Sequence, residues 1–207
     1  MAAGVRGNEP VTEAEMMKWA SQGLLAAVLV VASVTELKSG KIYNWLTYPA
    51  ILAGLAFGAV RGAVEAGSAW DGFVNHAAGF GLGFGVLFLA YLLGGMGGGD
   101  VKLMGAVGAF LGWGQDDAAL YATFYSFLVG AALGLVLMVW RGQTRSVVRR
   151  LGVAIRLLPV PGVRPEEAIP PGSVQVPFGL AACIGSVWWM VENAIGRSLW
   201  EVVTGVL

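Results

Sequence analysis

The stretch from Ala118 to Trp140 reads AALYATFYSFLVGAALGLVLMVW and contains no charged residue. A helix needs about 20 mainly apolar residues to cross the hydrocarbon core of a bilayer. The rest of the chain has a similar character, since 57% of its 207 residues are hydrophobic and only 13% are charged. Soluble chains carry about 25% charged residues, so one small core could not hide this apolar surface from water. The sequence therefore predicts a membrane protein.

Charge and residue counts exclude several classes of function. Lys and Arg number 13, as do Asp and Glu, so the chain lacks the basic excess that binding to nucleic acid requires. The single cysteine, Cys183, excludes an internal disulfide and a cysteine-based zinc cluster. The single histidine, His76, excludes most histidine-rich metal sites, and we expect it to pack as a neutral residue between helices. We expect Cys183 to be a small buried hydrophobe.

Apolar runs separated by charged or turn residues predict an all-α bundle of six transmembrane helices in a single domain over residues 1–207. The fourth run is short and follows a Gly-rich break, so it makes a span only together with Asp100 and part of that turn. The predicted spans are Met17–Thr35, Asn44–Val60, Phe73–Leu93, Val101–Trp113, Ala118–Trp140 and Val176–Val191. Glycine pairs one turn apart, among them Gly79 with Gly83 and Gly81 with Gly85, predict close helix contacts.

The distribution of basic residues predicts the orientation, because Lys and Arg concentrate in cytoplasmic loops. With both termini outside, nine basic residues lie inside, namely Lys38, Lys41, Lys102, Arg141, Arg145, Arg149, Arg150, Arg156 and Arg164. The four outside are Arg6, Lys18, Arg61 and Arg197. Residues 141–175 then form a basic, Pro-rich cytoplasmic loop, in which the amphipathic segment Arg145–Leu158 is expected to lie on the inner leaflet. Interfacial aromatic residues are expected at the inner side (Trp45, Tyr48, Trp140) and the outer side (Trp70, Trp113, Trp188, Trp189).

Asp100 is a candidate for chemistry, because an ionisable group at membrane depth is costly and therefore a functional candidate by default. Three glycines, Gly97, Gly98 and Gly99, precede it and would let backbone or substrate approach its carboxyl closely. The alternative is that Asp100 is an ordinary N-cap of the following helix.

Glu36 adjoins the inner end of the first predicted span, on the same side as Asp100. Two facing carboxyls suit an aspartic-type protease, in which one ionised acid activates water and one neutral acid polarises the scissile carbonyl. A helix N-terminus favours Asp100 as the anion, and a helix C-terminus disfavours Glu36 as the anion. The alternative is that Glu36 is a solvated interfacial acid that balances Lys38 and Lys41. Glu192, near the opposite end of the bundle, is expected to be interfacial.

The segments around these acids resemble the paired signatures of the type IV prepilin peptidases. Residues 36–47 read ELKSGKIYNWLT, similar to an Asp followed by a basic turn and an Ile-x-Asn-x-Leu-Thr string. Residues 97–104 read GGGDVKLM, similar to the Gly-x-Gly-Asp-x-Lys signature. The chain departs from the first signature because Glu36 stands where the family has Asp. It resembles the shorter members of tight-adherence pilus systems, which lack the zinc and methylating domains.

This resemblance implies an aspartic endopeptidase of the bacterial inner membrane that removes the basic leader from prepilin-like substrates at the cytoplasmic face. Asp100 and Glu36 would be the catalytic acids. The residues that shape the site or position the substrate would be Gly97, Gly98, Gly99, Lys102 and Asn44. No metal or organic cofactor is implied, because water and two carboxyls suffice. The implied partners are a prepilin-like protein, membrane lipid and pilus or secretion assembly machinery.

Two other functions fit part of the pattern. A non-catalytic pilus-assembly scaffold would keep the fold without Asp at position 36, and the extra methylene of Glu moves a carboxyl by about 1 Å, beyond the usual tolerance of a catalytic site. A small transporter or channel component would also contain a Gly-rich broken helix and buried acids. Such proteins have paired breaks in corresponding halves, whereas the sequence has one, at Gly94–Gly99.

Overall fold

Six helices and no strand are formed by residues 12–92, 96–114, 117–142 and 176–196, which the computed structural model describes. They are α1 (Glu13–Ser39), α2 (Asn44–Ala66), α3 (Ala69–Leu92), α4 (Gly98–Leu111), α5 (Ala118–Trp140) and α6 (Phe178–Ile195). The predicted all-helical bundle is confirmed. The segment Arg145–Leu158 and almost all of the loop 141–175 lie outside the described residues, so their predicted positions stay predictions.

The ends of α1 and α2 have local causes in the sequence. Thr12 caps α1 by accepting a hydrogen bond from the backbone N–H of Glu15, while the Glu15 carboxylate accepts one from the N–H of Thr12. Gly40 and Gly67 end α1 and α2 with φ values of 65° and 67°, a left-handed conformation that side chains with a Cβ disfavour. The tight turn after Gly40 returns the chain directly into α2.

Five of these helices, all except α4, are long and apolar enough to cross a membrane. α4 has 14 residues, which at 1.5 Å per residue gives about 21 Å, less than the roughly 30 Å of a hydrocarbon core. Its side chains from Leu103 to Leu111 are all buried by the other helices. The short fourth element is therefore the central helix of the bundle, and protein surrounds it where the longer helices would face lipid.

Glycines allow α3 to pack closely on α4. A Cβ on Gly79 would collide with the backbone carbonyl of Gly108, and one on Gly83 would collide with that of Met104. In contrast, a Cβ on Gly81 or Gly85 would meet nothing within 4 Å. Of the two predicted α3 pairs, Gly79 with Gly83 therefore forms a helix contact and Gly81 with Gly85 does not.

The structure corrects two details at the end of the bundle opposite Asp100. Arg61 and Glu65 were expected to follow the second span, but they continue α2 and form an ion pair at 2.7 Å one turn apart. Trp189 was expected in the interfacial belt with Trp188, but it is buried and belongs to the core. Trp188 is exposed, as the prediction requires. The two indoles differ because adjacent residues on α6 point to different sides of the helix.

Candidate active site

Several helix termini meet at one end of the bundle, which we call the acid end. It contains the C-termini of α1 and α3 and the N-termini of α2, α4 and α6. Gly98, at the start of α4, lies beside Tyr91 near the end of α3. Ile42, in the turn between α1 and α2, lies beside both Gly99 of α4 and Gly179 of α6. The two candidate acids project from elements that converge here.

Asp100 lies in the first turn of α4 and is partly buried. Its Oδ2 atom accepts a hydrogen bond of 3.1 Å from the backbone N–H of Gly97, which is the N-cap residue of the helix. The alternative interpretation expected Asp100 to be the N-cap residue, but that residue is Gly97. The Asp100 carboxyl instead helps to cap α4 from inside the first turn. The other oxygen, Oδ1, is not used by this bond.

The glycines before Asp100 make space at the acid end. A Cβ on Gly97 would lie 3.2 Å from Asp100 Oδ2, and one on Gly99 would lie 3.0 Å from the Cβ of Ile42. Both distances are shorter than ordinary contacts of a Cβ. Gly99 therefore allows the turn between α1 and α2 to sit directly on the start of α4, which brings the end of α1 towards Asp100.

Glu36 lies in the last turn of α1 and is bound by the start of α6. Its Oε2 atom accepts a hydrogen bond of 2.7 Å from the backbone N–H of Gly179. The N–H groups of Phe178 and Leu180 also interact with this carboxyl. The N–H groups of α6 stabilise negative charge on Glu36 and so oppose the effect of the α1 C-terminus, a contribution that the sequence did not predict. Glu36 is therefore not simply a solvated interfacial acid.

The Glu36 and Asp100 carboxyls lie close enough to repel each other electrostatically when both are ionised. They come from different helices, α1 and α4, and both are partly buried. Two interacting acids in a partly desolvated place readily share one proton, because a single negative charge avoids their mutual repulsion. An ionised carboxyl beside a neutral one is the arrangement needed for acid–base hydrolysis.

Lys102 and Asn44 connect α4 to α2 at the acid end. The Lys102 ammonium donates a hydrogen bond of 2.9 Å to Asn44 Oδ1 and lies 4.9 Å from the ring centroid of Tyr48. These contacts fix the first turn of α2 against α4 beside Asp100. The resemblance implied that Lys102 and Asn44 shape the site or position the substrate, and the structure adds that the two side chains contact each other.

His76 and Glu192 lie away from the acid end. His76 Nδ1 is 2.7 Å from the carbonyl oxygen of Ala109, and its buried ring occupies the space left by Gly58, so its predicted packing role between helices is confirmed. Glu192 accepts hydrogen bonds from the Tyr125 hydroxyl at 2.8 Å and from the Trp188 indole at 3.0 Å. The bond from Tyr125 ties α5 to α6, whereas the bond from Trp188 lies within α6.

Reasoning from the sequence did not select Ile42 as a site residue, and it missed the first turn of α6. Phe178 and Gly179 provide the backbone that holds Glu36, yet a backbone donor has no side-chain signature. The sequence did contain a signal, because Pro177 and Gly179 stand at the start of an apolar run. The proline would mark the start of a helix, and the glycine would mark a place where another group approaches its backbone closely. Cys183, in the same helix, is partly buried and packs against the core.

The fold defines a polytopic helical membrane protein, and the two acids lie in a segment with known relatives. Residues 23–135 match the model of the type IV leader peptidase family, and this segment includes both Glu36 and Asp100. The chain belongs to this family.

Its relatives include two proteins named prepilin leader peptidase/N-methyltransferase. The one from Burkholderia pseudomallei is 34% identical over 135 residues, which are 61% of this chain and 39% of the relative. The one from Aeromonas hydrophila is 35% identical over 127 residues, which are 59% of this chain and 41% of the relative. The chain thus matches about two fifths of the length of these relatives. No solved structure matches it significantly.

Proposed function

We propose that the protein is a membrane aspartic endopeptidase that removes the basic leader from prepilin-like substrates at the cytoplasmic face of a bacterial inner membrane. The observation that carries the proposal is the approach of Glu36 and Asp100 at the end of the bundle where α1 stops and α4 starts. Family membership and the names of the relatives support the same activity. Glu36 and Asp100 are the catalytic acids in this proposal.

The reaction needs only the two carboxyls and one water molecule. The ionised carboxyl takes a proton from water while the water oxygen attacks the scissile carbonyl carbon. The neutral carboxyl donates its proton to the carbonyl oxygen and so stabilises the tetrahedral intermediate. When the C–N bond breaks, a proton passes to the leaving nitrogen. The products are a leader with a new carboxylate and a mature protein with a new amino group.

The orientation of the chain follows from the same proposal. Lys38, Lys41, Lys102 and Arg141 lie at the acid end of the bundle, whereas Lys18 and Arg61 lie towards the opposite end. An acid end in the cytoplasm agrees with the preference of basic residues for that side. The enzyme would then reach the basic leader and its cleavage site from the cytoplasm, where the substrate is made. The partners of the enzyme would be prepilin-like proteins, lipid and assembly machinery.

The activity is tested by co-expressing the chain with a pilin-like protein that has a basic leader followed by an apolar helix. We expect loss of the leader, detected by mass spectrometry of the membrane fraction. The matched control is Asp100→Asn, which keeps an oxygen acceptor for the Gly97 N–H but cannot take part in proton transfer. A wild type that leaves every leader intact would favour the non-catalytic scaffold, which the Glu at position 36 supports.

Topology provides a separate test. A cysteine introduced in the loop 141–175, in a Cys183→Ala background, should resist an impermeant thiol reagent that is applied to intact cells. It should react after the membrane is opened. Labelling in intact cells would reverse the orientation and remove the cytoplasmic active site.

A further inference from the structure

Helix α6 begins without a capping side chain of its own. Its N-cap residue is Pro177, which makes no side-chain cap hydrogen bond. The first N–H groups of a helix need acceptors, and a buried helix start without them is costly. Glu36 of α1 supplies an acceptor through the 2.7 Å bond from Gly179 to its Oε2 atom. The carboxyl of one helix therefore caps another helix that lies 143 residues away in the sequence.

The Gly179 peptide group is held from two sides by α1. In addition to the bond to Glu36, the carbonyl oxygen of Gly179 lies 3.0 Å from the buried hydroxyl of Ser33, whose one proton is shared with the carbonyl oxygen of Leu29 at 2.7 Å. Ser33 precedes Glu36 by about one helical turn, so both bonds come from the same region of α1. Phe178, which is buried, packs against the ring of Phe127 in α5 at a centroid distance of 6.0 Å. The start of α6 therefore has little freedom to move relative to Glu36.

The space around the Glu36 carboxyl depends on the absence of a side chain at position 179. A Cβ on Gly179 would lie 2.7 Å from Glu36 Oε2, which is too close for two non-bonded atoms. The conflict would involve the carboxyl oxygen itself, so the carboxyl would have to move away from α6. Position 179 lies outside residues 23–135, the segment that matches the family model.

We propose that Gly179 and the first turn of α6 are the positioning element for the Glu36 carboxyl in the hydrolysis proposed above. This inference rests on that proposed function and deepens it. The extra methylene of Glu36, compared with Asp, carries the carboxyl to the N–H groups of α6. The longer side chain and the glycine then form a matched pair. Because Oε2 accepts the N–H of Gly179, this bond favours Oε1 as the oxygen that carries the proton and takes part in proton transfer.

The experiment measures leader cleavage by purified protein in lipid vesicles with a synthetic prepilin-like peptide. Gly179→Ala should lower kcat by about 10- to 100-fold, because a misplacement of about 1 Å has a cost of that order. KM should change by less than about threefold, since Gly179 is a positioning residue and does not bind substrate in this proposal. The matched control is Gly23→Ala in α1, where a Cβ would meet nothing within 4 Å, and it should cleave like the wild type. A fully active Gly179→Ala variant would overturn the proposal.

Shortening the acid distinguishes positioning from a general defect in packing. Glu36→Asp withdraws the carboxyl from α6 by about 1 Å and makes room for the alanine methyl. We expect Glu36→Asp to lower kcat by about tenfold or more in the wild type but by less than about threefold in the Gly179→Ala variant, because either substitution alone moves the carboxyl away from α6. If Glu36→Asp has the same relative effect in the wild type and in the Gly179→Ala variant, the two residues act independently and the proposal is wrong.

The melting temperatures of the wild type, the two single variants and the double variant test the contact independently of catalysis. The effects of Gly179→Ala and Glu36→Asp should deviate from additivity by about 2 °C or more, because the two residues touch in the native state. Additive shifts would overturn the inference even in an active enzyme. A wild type that cleaves no leader would overturn the proposed function, and a non-additive pair of shifts would then still establish the contact between Glu36 and Gly179.

Discussion

The two acids of the site are anchored in opposite ways, although each of them caps the N-terminus of a helix. Asp100 caps its own helix, with a bond to Gly97 that spans three residues. Glu36, in α1, caps a different helix, α6, with a bond to Gly179 that spans 143 residues. The first anchor requires only that α4 forms, whereas the second requires that α1 and α6 pack in one particular register.

This difference indicates which changes each acid tolerates. A local cap is built by neighbouring residues and survives small shifts between helices. A cap between helices transmits such shifts directly to the carboxyl, because donor and acceptor belong to different rigid elements. We therefore expect the Glu36 side of the site to respond to changes in α6, and the Asp100 side to respond mainly to changes in its own Gly-rich turn.

The largest expected effect is that of Asp100→Asn. Loss of a group that transfers protons typically lowers the rate by about 10²- to 10⁴-fold, and we expect a fall in this range for leader cleavage. The melting temperature should stay near that of the wild type, because the amide oxygen still accepts the Gly97 N–H. Asp100→Ala should lose both activity and stability, since it also removes the cap. Near-normal cleavage by Asp100→Asn would reduce Asp100 to a capping residue.

Glu36→Gln should cause a fall of similar size. Its amide oxygen can still accept the Gly179 N–H, so the cap on α6 is kept while the acid is lost. The double variant Asp100→Asn/Glu36→Gln should be no slower than the slower single variant, because members of one catalytic unit do not contribute additively. The dyad would be contradicted by a Glu36→Gln variant that cleaves like the wild type.

The contact between Lys102 and Asn44 should have an intermediate effect. Its hydrogen bond involves a charged donor but is exposed, so it is worth about 1.5 kcal/mol, the low end for such bonds, and either Lys102→Met or Asn44→Ala should slow cleavage by roughly tenfold. Combining the two substitutions should add little to the larger single effect, since both remove the same bond. Strictly multiplicative losses would show that the two side chains act separately. Cleavage rates of the wild type, the two single variants and the double variant decide between these outcomes.

The smallest effect on cleavage is expected from substitutions in the contact between Gly58 and His76, which lies far from both acids. Gly58→Ala would force a methyl group into the His76 ring and should destabilise the bundle by about 1–3 kcal/mol. Thermal unfolding in detergent measures this change, and kcat below the melting transition should stay within about twofold of the wild type. His76→Ala in the same background should relieve part of the loss. A large fall in kcat would link the two ends of the bundle.

Much of the fold could be predicted from the sequence, because its causes are local. Apolar runs of sufficient length predicted five long helices, and Ala118–Trp140 matches α5 residue for residue. The short run after Asp100 predicted an atypical fourth helix. The exact ends of the helices were harder to predict, as Arg61 and Glu65 in α2 show. A helix continues beyond the hydrocarbon region wherever its backbone and side chains find partners, so polarity alone misplaced the end of α2.

The candidate site could be predicted only in part, for the same physical reason. Asp100 and its glycines are contiguous, and Glu36 stands beside a helix end on the predicted cytoplasmic side, so the sequence by itself predicted the two acids as candidates. It also determined the membrane-spanning character of the chain. Only the tertiary structure decided that α6 holds Glu36, that Lys102 holds Asn44 and that α4 is enclosed by the other helices. Local patterns record the conformation of a segment and its preference for lipid or water, whereas contacts between distant backbone groups depend on how whole helices pack.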